Sequence, residues 1–199
     1  MIIEAALALP IIVILVLGIL EYGMAFHEGI IIERGLTLVG RTVSNLGASP
    51  YADFETLRAV DSQLLALQET SSVKRVIIYK PSSADGSVPQ ACLNIQPSPG
   101  SLSGAGVSGV CNVYSAAQVA QDSPGSGFVV TGSPPSGCGG ASWHRFLCPL
   151  NGSHRNPKTQ TKIGVYIEVE YQPVTGIWPS GQTIERHVVY AIEPPSVGS

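Results

Sequence analysis

Residues 5–20 read AALALPIIVILVLGIL, a run without one charged or hydrogen-bonding side chain, bracketed by Glu4 and Glu21. At a rise of 1.5 Å per residue the two carboxylates stand about 25 Å apart along a helix. That approaches the roughly 30 Å hydrocarbon core of a bilayer, with modest thinning or snorkelling to cover the difference. A helix in the core of a soluble protein shows a polar face within two turns; this run shows none, and membrane insertion is expected. Apolar character resumes at Tyr22, Met24, Ala25, Phe26 and Ile30 to Ile32. The helical pattern continues through Glu33, Leu36, Val39 and Val43 to about Leu46, where Gly47, Ser49 and Pro50 stop it. A cleaved signal needs a basic leading region and a small-residue cleavage site. No Lys or Arg precedes Arg34 and no such break ends the run, so a retained anchor is expected. Pro10 removes one helical hydrogen bond and Gly18 permits close helix approach, which makes both candidate hinge positions.

Beyond the spine, Phe54, Leu57, Val60, Leu64, Leu65 and Leu67 form the stripe of a second, amphipathic helix beginning near Asp53. VKRVIIY, residues 73–79, reads as a strand with Lys74 and Arg75 solvated. In KIGVYIEVEY, residues 162–171, Ile163, Val165, Ile167, Val169 and Tyr171 alternate with Gly164, Tyr166, Glu168 and Glu170, the signature of a half-buried strand. QTIERHVVYAI, residues 182–192, alternates likewise, so an antiparallel pair joined by the Pro/Gly-rich link 172–181 is expected. Between Pro81 and Pro157 periodicity is lost, apart from a short helix at 115–121 and a strand at 128–131. The class is α+β: a spine helix over residues 1–47, then a head over 48–199 with a second helix, a small antiparallel sheet and long loops.

Composition narrows the compartment. Charged residues are 13% of the 199, against roughly 25% in an average soluble domain, and most of the 22 Gly and 15 Pro lie after residue 80. The net charge of −3 offers no basic face for nucleic acid. Cys92, Cys111, Cys138 and Cys148 all lie in the loop-rich region, which suits disulfides in an oxidising compartment. Four cysteines allow three pairings; the sequential one, Cys92–Cys111 with Cys138–Cys148, is preferred because each closes a short loop, stabilising by about 3 kcal/mol apiece. Arg34 and Arg41 follow the span and would by themselves place the head in the cytoplasm. An extracytoplasmic head is reconciled with them if a basic leader before Met1 has been removed.

IEAALALPIIVILVLGILEYGMAF closely resembles the N-terminus of TadE-like pseudopilins of tight-adherence (Flp/Tad-type) type IV pili. The likeness rests on Glu4, on the ALALP stretch of residues 6–10, and on the Glu-aromatic-Gly step Glu21-Tyr22-Gly23. IGVYIEVEYQPVTG and the terminal AIEPP resemble the closing strands of such chains, and VCNVYSAAQ and CGGASWHRFLC resemble cysteine-bearing stretches of some members. Type IV pilins usually carry the glutamate at mature position five; here it is the fourth residue. The resemblance implies a pilin-like subunit, handled by a prepilin peptidase and the pilus assembly machinery. It resides in the cytoplasmic membrane before assembly and in an extracellular filament, with identical or related pilins, afterwards. A carboxylate at the end of an apolar helix is costly in lipid. It becomes favourable beside the α-amino group of a neighbouring subunit, so Glu4, with Glu21, is expected to set subunit register.

Enzymatic readings find little. GAGVSG, residues 104–109, matches a dinucleotide fingerprint in letters only, since a Ser-rich loop precedes it and Cys111 follows; a loop is expected there. Cys138, His144, Cys148 and His154 lack compact zinc spacing, and His27 on the helix is a packing or interfacial residue. Asn151-Gly152-Ser153 is a sequon of little weight in a bacterial setting. Asp53 and Asp61 read as surface charge, and Trp143 and Phe146 as a small core under a loop. No nucleophile setting or cofactor site is expected, and the chain is read as a non-enzyme. The alternative is a membrane-anchored binding module or tip adhesin that does not polymerise. Peptide mapping without reduction should recover Cys92 linked to Cys111 and Cys138 linked to Cys148; a peptide joining Cys92 to either of the last two cysteines overturns the sequential pairing.

Overall fold

The computed structural model describes residues 2–46, 52–64, 71–100, 105–107, 109–120, 162–175 and 181–192, and of residues 2–6 and 120 the backbone only. The expectations for Cys138–Cys148, the 128–131 strand, Trp143 and Phe146, the zinc candidates, the sequon, Leu65 and Leu67 lie outside the described residues. Helix α1 (Ile2–Asn45) runs through Pro10 without a break, and α2 (Ala52–Leu64) packs against it. Five described strands, β1 (Ser71–Tyr79), β2 (Ala105–Val107), β3 (Cys111–Ser115), β4 (Lys162–Tyr171) and β5 (Gln182–Ala191), pair antiparallel in the order β2-β3-β1-β4-β5. Two short helices, α3 (Gln90–Leu93) and α4 (Ala116–Ala120), are the remaining described elements. The α+β class with its spine helix, second helix and small antiparallel sheet is what the periodicities predict.

Packing divides α1 far upstream of its C-terminal end. Glu21, Glu28, Ile32, Val39 and Val43 are buried, and their intervals of seven, four, seven and four residues place them on one narrow helical stripe. With Leu36 the apolar members of that stripe enter a core shared with Leu57, Val60 and Leu64 of α2. The same core takes in Val76, Ile78, Ile163, Val165, Ile167 and Val169 of the sheet. The second half of α1 is therefore part of the head, although the helix is covalently one rod to Asn45. Lengths agree: from Glu21 to Ser44 the helix advances about 35 Å, and nine steps of β4 advance about 31 Å. The Tyr171 end of β4 meets Glu21, while Ser44 Oγ donates to the Ala191 carbonyl at the far end of β5.

Close approach of α1 to β5 depends on glycine. A Cβ on Gly40 would lie 1.9 Å from Cε2 of Tyr190, whose hydroxyl donates to the Thr37 carbonyl at 3.1 Å. Gly164 in β4 likewise lies under the ring of Tyr79.

Three expectations are corrected. β4 is not half-buried but covered on both faces over most of its length, because the 80–100 segment closes the side away from the helices. There Ile77, Tyr79, Cys92, Cys111, Val113 and Tyr166 form a second core. Arg75 is not solvated. A bulge at Lys74 shifts the register between Val73 and Arg75, which lets Val73 and Val76 both face the helices and turns Arg75 onto the second face. Its Nε donates to Glu168 at 2.6 Å, Nη1 donates to the carbonyls of Leu93 and Ile95, and the guanidinium lies 5.8 Å from the Tyr166 ring centre. Asp53 and Asp61 are buried rather than surface charges. Asp53 Oδ2 accepts from Asn112 Nδ2 at 2.7 Å and the Tyr114 hydroxyl at 2.6 Å, tying α2 to β3, while burial pushes the Asp61 carboxyl above its usual range.

The expected Cys92–Cys111 disulfide is present. It links α3 to β3, and the loop expected at 104–109 forms β2 at its start. Lys74, half-exposed, pairs with Glu170 at 3.4 Å.

Gly40→Ala should destabilise the head by about 1–3 kcal/mol through overpacking against Tyr190, and Leu36→Ala by about 2–5 kcal/mol through a cavity. Gly23→Ala, where a Cβ meets nothing within 4 Å outside its own helix, should be neutral or stabilising by up to about 1 kcal/mol. Urea unfolding of the full chain in detergent measures all three.

Candidate functional site

Two features of α1 meet at Glu21: an uncovered apolar rod before it and a polar clamp around it. Between Leu7 and Leu20 ten large apolar side chains are each 45–72% exposed. Burying one such side chain contributes about 1.5–3 kcal/mol, so roughly 15–30 kcal/mol remains unrealised while this rod stands in water, as an upper bound. No element among the described residues covers it. By length and composition the helix is able to cross a membrane.

Glu21, one residue past the apolar run, is 1% exposed. Its Oε1 accepts from the Tyr171 hydroxyl at 2.6 Å and the Val174 backbone N–H at 3.0 Å. Its Oε2 accepts from the Thr175 N–H at 2.9 Å and from the Thr175 hydroxyl. Four donors to one carboxylate favour the charged form. The bonds from the Thr175 and Tyr171 hydroxyls lower the Glu21 pKa most, burial opposes them, and the balance holds it at about 2. Burial, aided by the Glu21 carboxylate, pushes the Tyr171 hydroxyl up in turn, so it stays a donor. One helical turn pair further on, Glu28 accepts from Ser71 Oγ at the start of β1. Two acidic residues on the buried stripe thus bond the spine to the sheet at its Tyr171 end.

The residues singled out in the sequence are distributed as follows. Glu21 is engaged within its own chain, so its clear structural duty is to hold spine and head together; its expected part in subunit register is a separate matter. Glu4 lies in α1 upstream of the described side chains, about 25 Å along the helix from Glu21. Pro10 is exposed within the continuous helix. At Gly18 an added Cβ would meet nothing within 4 Å outside its own helix, so its small size answers no need among the described residues. His27 is exposed. Sequence reading missed Tyr171, Val174 and Thr175 as partners of Glu21. The one available signal was the shared phase of Glu21 with Glu28, Ile32 and Val39, which marks the acid as facing inward; nothing in spacing joins it to residues 150 positions away. Among the described residues no group of three His, Cys, Asp or Glu is placed to hold a metal.

The family model of TadE-like proteins matches residues 1–36, the apolar rod, the Glu21 step and the first buried turns of α1. The N-terminal resemblance to TadE-like proteins is thereby established, over under a fifth of the chain. No curated protein and no solved structure matches it.

Since the folded Glu21 pKa lies below its ordinary 4.5, its charge stabilises the clamp above about pH 4.5, and that contribution is lost as pH falls from about 4.5 towards 2. Thermal melts across this window should show a falling midpoint in the parent chain and a flatter profile in Glu21→Gln. Glu21→Ala, which leaves the buried Tyr171 hydroxyl without this acceptor, should cost about 1–3 kcal/mol at neutral pH.

Proposed function

We propose that the chain is a structural pilin-like subunit of a Tad-type type IV pilus. It is anchored by the first half of α1 in the cytoplasmic membrane, then packed through that half into a helical filament that displays the head for adhesion. The role is structural, not catalytic. The observation that supports this most directly is the division of α1: ten large apolar side chains exposed before Glu21, and a rigidly packed head after it. A rod of that character finds a stable setting in lipid or among similar rods. Both settings fit the TadE-like match over residues 1–36, which by itself speaks for association with Tad pilus biogenesis and leaves open whether the subunit is major or minor. Burial among neighbouring helices would be driven by close packing, with Gly18 available for near approach. Glu4 would then be neutralised by the amino terminus of the next subunit. Membrane processing by a prepilin peptidase and extraction by the assembly machinery belong to the same reading.

Purified surface filaments, imaged by electron microscopy with subunits identified by mass, should contain this chain with its apolar helix intact. Glu4→Ala should lower incorporation severalfold while leaving head stability unchanged. A solitary anchored protein never found in filaments favours a non-polymerising binding module, and a soluble mature form lacking the first two dozen residues rejects both.

A further inference from the structure

Resting on the membrane-anchored reading above, we propose that the head sits directly on the bilayer, with the start of the β4–β5 connection, Val174 and Thr175, held in the lipid headgroup layer. A flexible stalk is the alternative design, and the geometry of Glu21 argues against it. Val174 N–H and both Thr175 donors bond to its carboxylate, so this stretch is held one glutamate side chain and one hydrogen bond away from the helix position at which the apolar run ends. The clamp also consumes the donors that would otherwise need water. Next to the clamp an apolar side chain is left outward: Val174 is 61% exposed.

The helix flank at the same level has the same character. Tyr22 and Phe26, 65% and 62% exposed, are one turn apart and project 100–140° around the helix from Glu21. They sit about 3 and 9 Å beyond Leu20 along the axis. The interfacial layer on each side of a bilayer is about 5–7 Å deep, and aromatic side chains concentrate there. The connection 172–181 carries no charged side chain, whereas the adjoining strands carry Glu168, Glu170, Glu185 and Arg186. Finally, residues 5–20 fall a few ångströms short of the hydrocarbon thickness. That shortfall draws the Tyr22–Val174 level into the interface rather than away from it. Exposed apolar groups on two separate elements, brought to one level by a satisfied carboxylate and continuous with the bare rod, fit a lipid surface.

The test uses the full chain in vesicles at low protein-to-lipid ratio, with phospholipids brominated shallow or deep on their acyl chains. In a Trp143→Phe, Trp178→Phe background, single reporters are introduced by Leu15→Trp, Val174→Trp or Leu38→Trp. The Leu15 reporter should lose emission most with deep bromines and the Val174 reporter with shallow ones. The Leu38 reporter, about 27 Å along the helix beyond Leu20, should be unaffected. If the Leu15 reporter is quenched while the Val174 reporter behaves like that at Leu38, the head stands off the membrane: the inference fails and anchoring survives. If the Leu15 reporter is not quenched either, the anchoring reading itself falls. In the unsubstituted chain, a phospholipid with a photoreactive headgroup should label the peptide containing Val174; labelling confined to residues before Glu21 overturns the inference without any substitution.

Discussion

The carboxylate of Glu21 stands where a single 44-residue helix changes surroundings. From Leu7 to Leu20 the helix offers only hydrocarbon and no described element covers it; after Glu21, it supplies a full stripe of the head's core. Had residue 21 been apolar, the sheet's Tyr171 end would keep only the Glu28–Ser71 bond and apolar contacts to hold it to the helix. With four donors converging on it, the acid locks the angle and the axial position of head against rod. At the other end of the β4–β5 pair Ser44 Oγ donates to the Ala191 carbonyl.

That arrangement explains the character of the rest of the head. The sheet needs cover on both faces. Helices α1 and α2 provide one, packed closely enough at Gly40 and Tyr190 for a ring to lie on helix backbone. The other is made from the 80–100 segment, which has little regular structure and is held by three devices: the Cys92–Cys111 bond, the buried Arg75 capping the end of α3, and Tyr79 donating to the Gly86 carbonyl. A cover of this kind adds specific polar and covalent ties to the apolar contacts of Val88, Leu93 and Ile95.

The proposed filament role uses the rod, and the proposed seating on the membrane uses the collar of Tyr22, Phe26 and Val174. Both follow from one physical asymmetry, apolar surface that the folded chain leaves uncovered at one end of the molecule. In the proposed reading the two roles are successive rather than competing, since a surface matched to headgroups before assembly would be released as the rod moved into a polymer.

How much of this was legible in residues alone depends on range. The unbroken apolar run, the i, i+4, i+7 stripe of α1, the shorter stripe of α2 and the period-two strands are local patterns, so spine, second helix and the β4–β5 pair could be read directly, as could the likeness to TadE-like chains. Short β2 and β3 were missed because three to five residues carry too little periodicity to separate from loop. The burial of Arg75 and Asp53 was missed because charge in a strand or a first helical turn is solvated unless a distant partner arrives, and Glu168, Asn112 and Tyr114 arrive from 59 to 93 positions away. Sequence by itself determined the two long helices, the strands β1, β4 and β5, and that one end is too apolar to stand in water, since all of these follow from the order of neighbouring side chains. Tertiary structure alone decided where the rod ends and the head begins, because that boundary is a bond between Glu21 and residues 150 positions further along, and only the folded sheet brings them together.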